Sequence, residues 1–457
     1  MSAHAFKFID LFAGIGGFHF ALKSLGGTCV MACEIDPTCR KVYREVFPDV
    51  TDFLEDIRSI TGSDQGSVVD NIIDQQVPNH DILCAGFPCQ PFSKSGTQKG
   101  VLDRTRGTLF FDILEIIRVK RPPYLFLENV RNLAGPRHRE TWETIIKSLR
   151  YLGYYVLDEP LIVSPHTIPP EYGGTPQVRE RIFILGVRHD LDYRCIFRCY
   201  EMAQRLRKYQ WWSPDNWSIS DYLDGDEEIP CLERYLVNEP EKTYLEAWEW
   251  FVRNIPEDVL PGFPIWVFAF AKKPELNNSM PNWERDFRIK NSFFYHKYAD
   301  VIEDWLMMRF GSASLTVREF PLSRQKFEWQ ARKAHPIRSG RTLKNLVIQF
   351  RPSGIRVKPP TYLPALVAIT QTSVIGPLLR PKASEFRRLT PKEAARLQGI
   401  PGNIFERSGI DDETAYRQLG NAVNVGAVRL IASVLLGFDS GILDLVGRQR
   451  QLTLFEF

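Results

Sequence analysis

Short apolar runs alternate with helical patterns through the first 190 residues. FKFIDLF (6–12), CVMACEI (29–35), DILCAGF (81–87), YLFLENV (124–130) and RIFILGV (181–187) read as buried strands. The alternation predicts an α/β unit, a parallel sheet flanked by helices. The first run leads into the glycine turn AGIGG and then a helix that ends near Gly26 and Gly27. Asp36 is a good N-cap with Pro37 at the first helical position, and the helix it opens should stop before Pro48.

Between about 190 and 385 the alternation breaks down. Trp211, Trp212 and Trp217 cluster there and prolines are frequent. Order returns with RLTPKEAARLQGIP (388–401), where Thr390 and Glu393 form a capping box, Pro391 opens a helix and Gly399 closes it. A last apolar helix follows YRQLGNAVNVG (416–426) and runs to about Leu436. Two similar parts thus flank a dissimilar middle, which divides the chain into 1–189 plus 386–457 and a second, smaller domain, 190–385.

The length of 457 residues, with 44% hydrophobic and 25% charged content, suits a globular chain of two or three domains. No stretch reaches the ~18 uninterrupted apolar residues of a membrane span, and the start lacks a basic segment followed by an apolar one. The expectation is a cytoplasmic protein with no membrane partner. Net charge is only +3, but its distribution is uneven. Residues 215–258 hold thirteen acidic side chains against Arg234, Lys242 and Arg253. Residues 318–358 reverse this, with eleven basic side chains against Glu319 and Glu328. The basic run, interleaved with aromatics and glycine, is a candidate phosphate-tracking surface, and the acidic block is expected on an outer face.

Two motifs carry chemistry. DLFAGIGGF (10–18) puts a glycine turn at a strand exit, with Glu34 at the end of the next strand, where it could bind ribose hydroxyls. A nicotinamide-dependent oxidoreductase offers the same layout, but the third glycine of GxGxxG is absent, with His19 in its place, which favours S-adenosylmethionine, a ligand with no pyrophosphate to cradle. GFPCQPFS (86–93) sets Cys89 next to Pro88 at a strand exit, followed by a loop rich in Gly, Ser, Lys and Arg. A cysteine so placed is poorly explained as packing. The other cysteines form no CxxC pair, so no metal is expected.

With these residues the chain resembles the DNA (cytosine-5) methyltransferase family of bacterial restriction-modification systems. DLFAGIGGF is similar to the family's first motif, Glu34 to its second, Asp56-Ile57 to its third, GFPCQPFS to its fourth and RGTLF (106–110) to its fifth. Glu128-Asn129-Val130 resembles the ENV motif, and Gln177, Arg179 and Arg181 resemble QxRxR. RLTPKEAARLQG and QLGNAVNVG resemble the last two motifs. The resemblance implies an α/β fold, a Rossmann-like mixed sheet flanked by helices, with a smaller target-recognition domain in the middle.

It also implies roles. Cys89 would add to carbon 6 of a flipped-out cytosine, because carbon 5 alone is too weak a nucleophile. Glu128 would bind or protonate ring N3, Asn129 would hold the strand turn, Arg181 would bind O2, and Arg179 would support the cysteine and glutamate. Phe12, Gly14, Gly16, Gly17, Glu34, Asp56, Ile57, Pro88, Leu109, Asn421 and Val423 would form the S-adenosyl-L-methionine pocket. The C-terminal motif must therefore fold back beside the first one. Gln90, Ser93, Arg106, Arg332, Lys333, Arg338 and Arg341 are candidate contacts to double-stranded DNA. The expected form is a monomer, with a restriction endonuclease as a possible partner acting on the same site.

Two rivals are open, and a third is closed. One branch of the family methylates transfer RNA with the same motifs. A catalytically inactive DNA-binding regulator would not need Cys89, Glu128 and Arg181 intact. RPPY (121–124) superficially resembles a motif of enzymes that methylate exocyclic amines, but Arg121 replaces the required Asp or Asn.

Overall fold

The structure, a computed structural model, describes residues 5–62, 66–88, 109–256, 260–277, 279–331, 340–366 and 373–438. The chain divides into two compact units, one of Met1–Asn216 with Ala394–Phe457 and one of Trp217–Glu393.

In the first unit, β1 (Phe6–Leu11), β2 (Gly27–Cys33), β3 (Phe53–Leu54), β4 (Ile82–Gly86), β5 (Tyr124–Val130), β6 (Tyr154–Tyr155), β7 (Leu161–Val163) and β8 (Arg181–Arg188) make one sheet. Its order is β3-β2-β1-β4-β5-β8-β6, with β7 also on β8. β1 to β5 pair in parallel. β8 runs antiparallel to β5, β6 and β7, so the sheet is mixed, as the resemblance implied, rather than wholly parallel. The central strands are apolar on both sides because both faces are covered. Phe8, Cys84 and Phe126 face one core cluster, while Ile9, Leu11, Leu83 and Leu127 face the other.

α1 (Gly17–Lys23), α2 (Pro37–Val46), α3 (Arg58–Thr61), α4 (Gly66–Gln76), α5 (Leu109–Lys120), α6 (Arg139–Tyr151) and α7 (Arg194–Arg207) are among the helices packed on this sheet. The Asp36 carboxylate accepts from the Thr38 and Cys39 amides at 2.8 and 3.3 Å, and α2 stops at Val46 as expected. α7 lies beyond the boundary expected at 189. It nonetheless belongs to the first unit, because Cys195, Ile196, Cys199, Met202, Ala203 and Leu206 form a buried stripe in that unit's core.

In the second unit, β9 (Ile265–Trp266), β10 (Lys326–Trp329), β11 (Val347–Arg351), β12 (Gly354–Lys358), β13 (Val374–Ile375) and β14 (Arg387–Arg388) form a sheet in the order β9-β10-β12-β11-β13-β14. α8 (Glu239–Asn254), α9 (Asn282–Lys297) and α10 (Ala299–Met307) accompany it. Trp248 anchors the core, stacked on Phe327 at 4.4 Å and tilted against Trp305 at 5.0 Å. β14 explains why this unit continues past 385: its two arginines pair with β13.

The acidic block is not simply an outer face. Arg388 meets Glu241 at 2.6 Å, Arg387 meets Glu393 at 2.7 Å, and both Arg387 and Arg380 meet Asp226. Glu249 accepts from the Thr342 hydroxyl at 2.8 Å and the Leu343 amide at 2.6 Å. Buried guanidinium groups require such partners, so part of the acidic run is interior by necessity. Arg341 likewise departs from its expected role at DNA: it is 2% exposed and donates to the Ile255 carbonyl, which makes it part of the interior scaffold.

The chain then returns through α11 (Pro391–Leu397), α12 (Asp412–Asn421) and α13 (Val425–Leu436). The Thr390–Glu393 capping box is present, at 2.8 and 3.2 Å, and Gly399 takes φ +71° just past α11. The YRQLGN segment expected before the last helix is itself helical, in α12. α13 buries Val428, Leu430, Ile431, Val434 and Leu435 beside α1 and α7. At ~1.5–3 kcal/mol per fully buried aliphatic side chain, that stripe is what fixes the C-terminal segment next to β1. The apolar stretch Asp412–Leu436 is mostly buried within the fold.

Candidate active site

The parallel strands end on one edge of the sheet, where α/β proteins hold ligands. After β1, Phe12 has φ 58°, Gly14 56° and Gly16 87°, so the backbone passes three times through the left-handed region. A side chain at Gly16 would strike the Phe47 ring at 2.3 Å. A β-carbon at Gly14 would meet nothing within 4 Å, so that position borders open space of the kind a ligand uses.

Glu34, just beyond β2, locks this turn. One carboxylate oxygen accepts from the Gly14 amide at 2.8 Å and the other from the Asp36 amide at 2.8 Å. Each oxygen keeps a lone pair for a further donor, such as a ribose hydroxyl. Asp56 follows β3 and accepts from the Arg58 amide at 2.9 Å, while Ile57 is buried beside it. Phe12 and Leu109 pack partly buried against the core cluster that includes Ile57. These residues fit an adenosyl cofactor: an open turn, a carboxylate at the second strand and a carboxylate at the third.

The C-terminal segment completes the same edge. A β-carbon on Gly17 would lie 2.6 Å from Val423 Cγ2 and 2.8 Å from its carbonyl oxygen, so glycine there permits the close approach. A β-carbon on Gly86, the last residue of β4, would lie 3.5 Å from Glu128 Oε2 and 3.7 Å from Val423 Cγ1. Val423 therefore touches both the glycine turn and the strand that leads to Cys89. Asn421, at the end of α12, is exposed.

At the end of β5, Glu128 is 7% exposed and its Oε1 lies 3.0 Å from Arg181 Nε. Antiparallel pairing of Val130 with Arg181 brings them together. Burial raises the Glu128 pKa, against the opposing charges of Arg181 and Arg179. A carboxyl held that way keeps a proton to higher pH, which suits donation to a ring nitrogen. Asn129 donates from Nδ2 to the Phe87 carbonyl at 2.8 Å, while its Oδ1 accepts from the Val130 amide at 2.8 Å. It ties the ends of β4 and β5 together beside Pro88, which is exposed.

Arg179 sits deeper than its expected role suggests. It is 2% exposed, and Nη2 donates to the carbonyls of Gly420 and Ala422, both at 2.7 Å. Those carbonyls flank Asn421, so Arg179 grips the segment expected to line the cofactor pocket. Motif scanning missed three partners in this grip. Gln398 donates to the Leu419 carbonyl at 2.8 Å, Thr175 to the Leu397 carbonyl at 2.7 Å, and Asn424 to Leu397 at 3.2 Å while capping α13. Gln398 and Asn424 lay within ARLQG and QLGNAVNVG, and Thr175 two residues before Gln177, but side chains that hold backbone carbonyls have no spacing rule.

Cys89, Gln90, Ser93, Arg106, Arg332, Lys333 and Arg338 lie outside the described residues. Among the described cysteines, burial pushes the thiols of Cys29 and Cys33 up to about 12 and that of Cys84 well above its ordinary value, so none of these three is a competing nucleophile. Among the described residues no cluster of His, Cys, Asp and Glu is placed to hold a metal ion.

A glycine turn held by an acid at the second strand, with a carboxylate–guanidinium pair at the next strand ends, is the arrangement of a Rossmann-like methyltransferase. Residues 6–437 match the family model described as C-5 cytosine-specific DNA methylase. The chain is 36% identical over 523 aligned positions to the Type II methyltransferase M.AluI of Cellulosimicrobium cellulans, covering 96% of this chain and 94% of that protein. It is 44% identical over 433 positions to the Type II methyltransferase M.HpaII of Haemophilus parainfluenzae, covering 94% and 89%. The crystal structure of S. pombe Dnmt2 methyltransferase shares the fold, with 17% identity, a TM-score of 0.50 and coverage of 95% and 99%. The chain belongs to the C-5 cytosine-specific DNA methylase family and is a DNA cytosine-5 methyltransferase of restriction-modification type.

Proposed function

We propose that this enzyme modifies cytosine in double-stranded DNA through a covalent Cys89 adduct on an extrahelical base, with S-adenosyl-L-methionine as methyl donor. The observation that carries the reading is the convergence of Glu128, Arg181, Asn129 and Val423 around Gly86, three residues before Cys89. S-adenosylmethionine, when bound, would supply an electrophilic methyl group. The Cys89 thiolate adds to carbon 6, and Glu128 neutralises N3 as charge develops there. Arg181, held by Glu128, offers its remaining donors to the cytosine carbonyl oxygen O2. Gly14, Gly16, Gly17, Glu34, Asp56 and Ile57 bind the donor, with Phe12, Pro88, Leu109, Asn421 and Val423 completing its walls.

Residues 1–216 with 394–457 then serve as the catalytic domain, and 217–393 as the target-recognition domain. The protein acts as a cytoplasmic monomer, as the modification half of a pair with an endonuclease of the same site. Incorporation of labelled methyl groups into duplex DNA and into transfer RNA, measured side by side, tests the substrate. Transfer to DNA alone is expected; transfer to transfer RNA alone would overturn the reading.

A further inference from the structure

The basic run of the second unit folds with a two-residue alternation. Phe327 and Trp329 of β10, Ile348 of β11, and Ile355 and Val357 of β12 point into that unit's core. Their neighbours Lys326, Arg351, Arg356 and Lys358 therefore share the opposite face of the sheet, since successive side chains on a strand alternate sides. The register lines them up across strands. Trp266 is opposite Lys326, Arg351 is opposite Gly354, and Arg356 stands between Glu328 and Gln349.

Past Lys358 the same face runs through buried Val347 and Ile375 to Arg387, which is paired with Asp226 and Glu393, but within β10 to β12 it is poor in compensating charge. Glu328 meets Arg356 at 2.8 Å and is the one carboxylate among these positions of β10 to β12. The Lys326 ammonium lies over the rings of Trp266 and Phe268, at 5.3 and 5.4 Å, which orders it without neutralising it. Gly354 matters here: with φ +138°, a β-carbon there would come 2.8 Å from Lys326 Cβ, so glycine lets Lys326 and Arg351 share one row. Burial and the nearby charges of Arg356 and Arg351 lower the Lys358 pKa, with Glu328 opposing. All four cations are half-buried, neither hidden nor free to swing apart. Like charges held together on a rigid sheet repel unless a polyanion completes them.

We propose that this sheet face, through Lys326, Arg351, Arg356 and Lys358, is a sequence-independent contact surface for the phosphate backbone of duplex DNA. The inference rests on the DNA reading above and deepens it. It also moves the phosphate contact away from Arg341, which is interior. Phosphate contacts position a protein on the duplex without selecting its sequence. Each phosphate neutralised releases counterions and contributes about 0.9 to the slope of log affinity against log salt.

The test uses the full chain, with its methylated sites first mapped by bisulfite sequencing. Duplexes with and without a site are titrated by fluorescence anisotropy over a salt series. Lys326→Gln with Arg351→Gln, which keeps volume and hydrogen-bonding reach, should weaken both duplexes by a similar factor, on the order of tenfold, and reduce the slope by about two. Calorimetric binding of S-adenosylmethionine and the melting temperature should match wild type, which separates lost contact from lost fold. Lys326→Arg should restore most of the loss belonging to that position. Wild-type slope and affinity in the double variant would overturn the inference, and so would a loss confined to duplexes carrying the site, which would mean base reading. If the wild-type protein itself shows no salt-dependent DNA binding and no methyl transfer to DNA, the underlying reading fails instead.

Discussion

In the unit of Met1–Asn216 with Ala394–Phe457, Glu34, Glu128, Arg179 and Arg181 gather at one edge of the sheet, where parallel strands end. In the unit of Trp217–Glu393 the interior charges pair with one another: Arg387 with Glu393 and Asp226, Arg388 with Glu241. The first arrangement leaves hydrogen-bonding capacity for something that arrives. The second is closed. Residue type alone does not separate a working charge from a structural one; the difference is whether the fold supplies all of its partners.

The largest expected effect breaks the closed arrangement. Arg387→Met would leave Glu393 and Asp226 without their shared guanidinium; Arg387 and Glu393 are both fully buried. Breaking such a pair from one side costs about 3–5 kcal/mol, read as a fall in denaturation midpoint. A loss below ~1 kcal/mol would place the network among surface pairs.

The open arrangement should respond in rate. Glu128→Gln removes the proton donor while keeping shape, and should lower kcat on the order of 10²–10³-fold with DNA affinity unchanged. Burial raises the Glu128 pKa, so its acid form persists above the usual carboxylate range. Wild-type activity should then fall as pH rises through that raised value, and the glutamine variant should lose that limb. A variant with reduced DNA binding and unchanged kcat would contradict the assignment.

A smaller effect tests the grip on the C-terminal segment. Arg179→Lys keeps the charge but cannot hold the Gly420 and Ala422 carbonyls with the same planar fork. Loss of about one hydrogen bond, ~1–1.5 kcal/mol, predicts roughly a five- to tenfold rise in KM for S-adenosylmethionine with a lesser change in kcat. A fall in kcat with unchanged cofactor affinity would return Arg179 to the catalytic role first expected of it.

A pH-dependent effect of a different kind concerns Asp10, fully buried in β1. Burial, with the charge of Glu34 added, pushes its pKa up to about 8, although the His19 backbone N–H opposes this. Between the unfolded value near 3.8 and the folded value near 8 the unfolded chain releases the proton first, so stability declines as pH rises through that window. Asp10→Asn should remove the decline, gaining on wild type by up to about 1.4 kcal/mol per pH unit across it. Parallel melting curves from acid to neutral pH would show this; a constant offset would contradict it.

Much of the first unit was legible in the sequence because its residues answer to strict backbone demands. Gly14 and Gly16 occupy left-handed geometry, Gly17 admits Val423, and Asp36 caps α2. The second unit was less legible. Its acidic and basic runs read as solvated face and phosphate surface, yet both divide between interior and exterior. Arg341 and Lys326 come from one basic run, and only packing distinguishes the scaffold residue from the surface one. Arg179 shows the same limit inside the readable unit, since its motif marked it without revealing which carbonyls it holds.

The central claim is that the edge built by Glu128, Arg181 and Asn129 serves a covalent step at Cys89. After methyl transfer the adduct resolves by loss of the hydrogen on carbon 5 and expulsion of the cysteine sulfur. Fluorine at that carbon cannot leave as a cation, so the chemistry halts with enzyme attached. Duplex DNA carrying 5-fluorocytosine at the target, incubated with enzyme and S-adenosylmethionine, should give a complex that survives denaturation, with the modified peptide mapping to Cys89. Cys89→Ser should give neither complex nor turnover while still binding DNA. A serine variant that still methylates DNA, or a trapped peptide containing Cys84, would contradict the account.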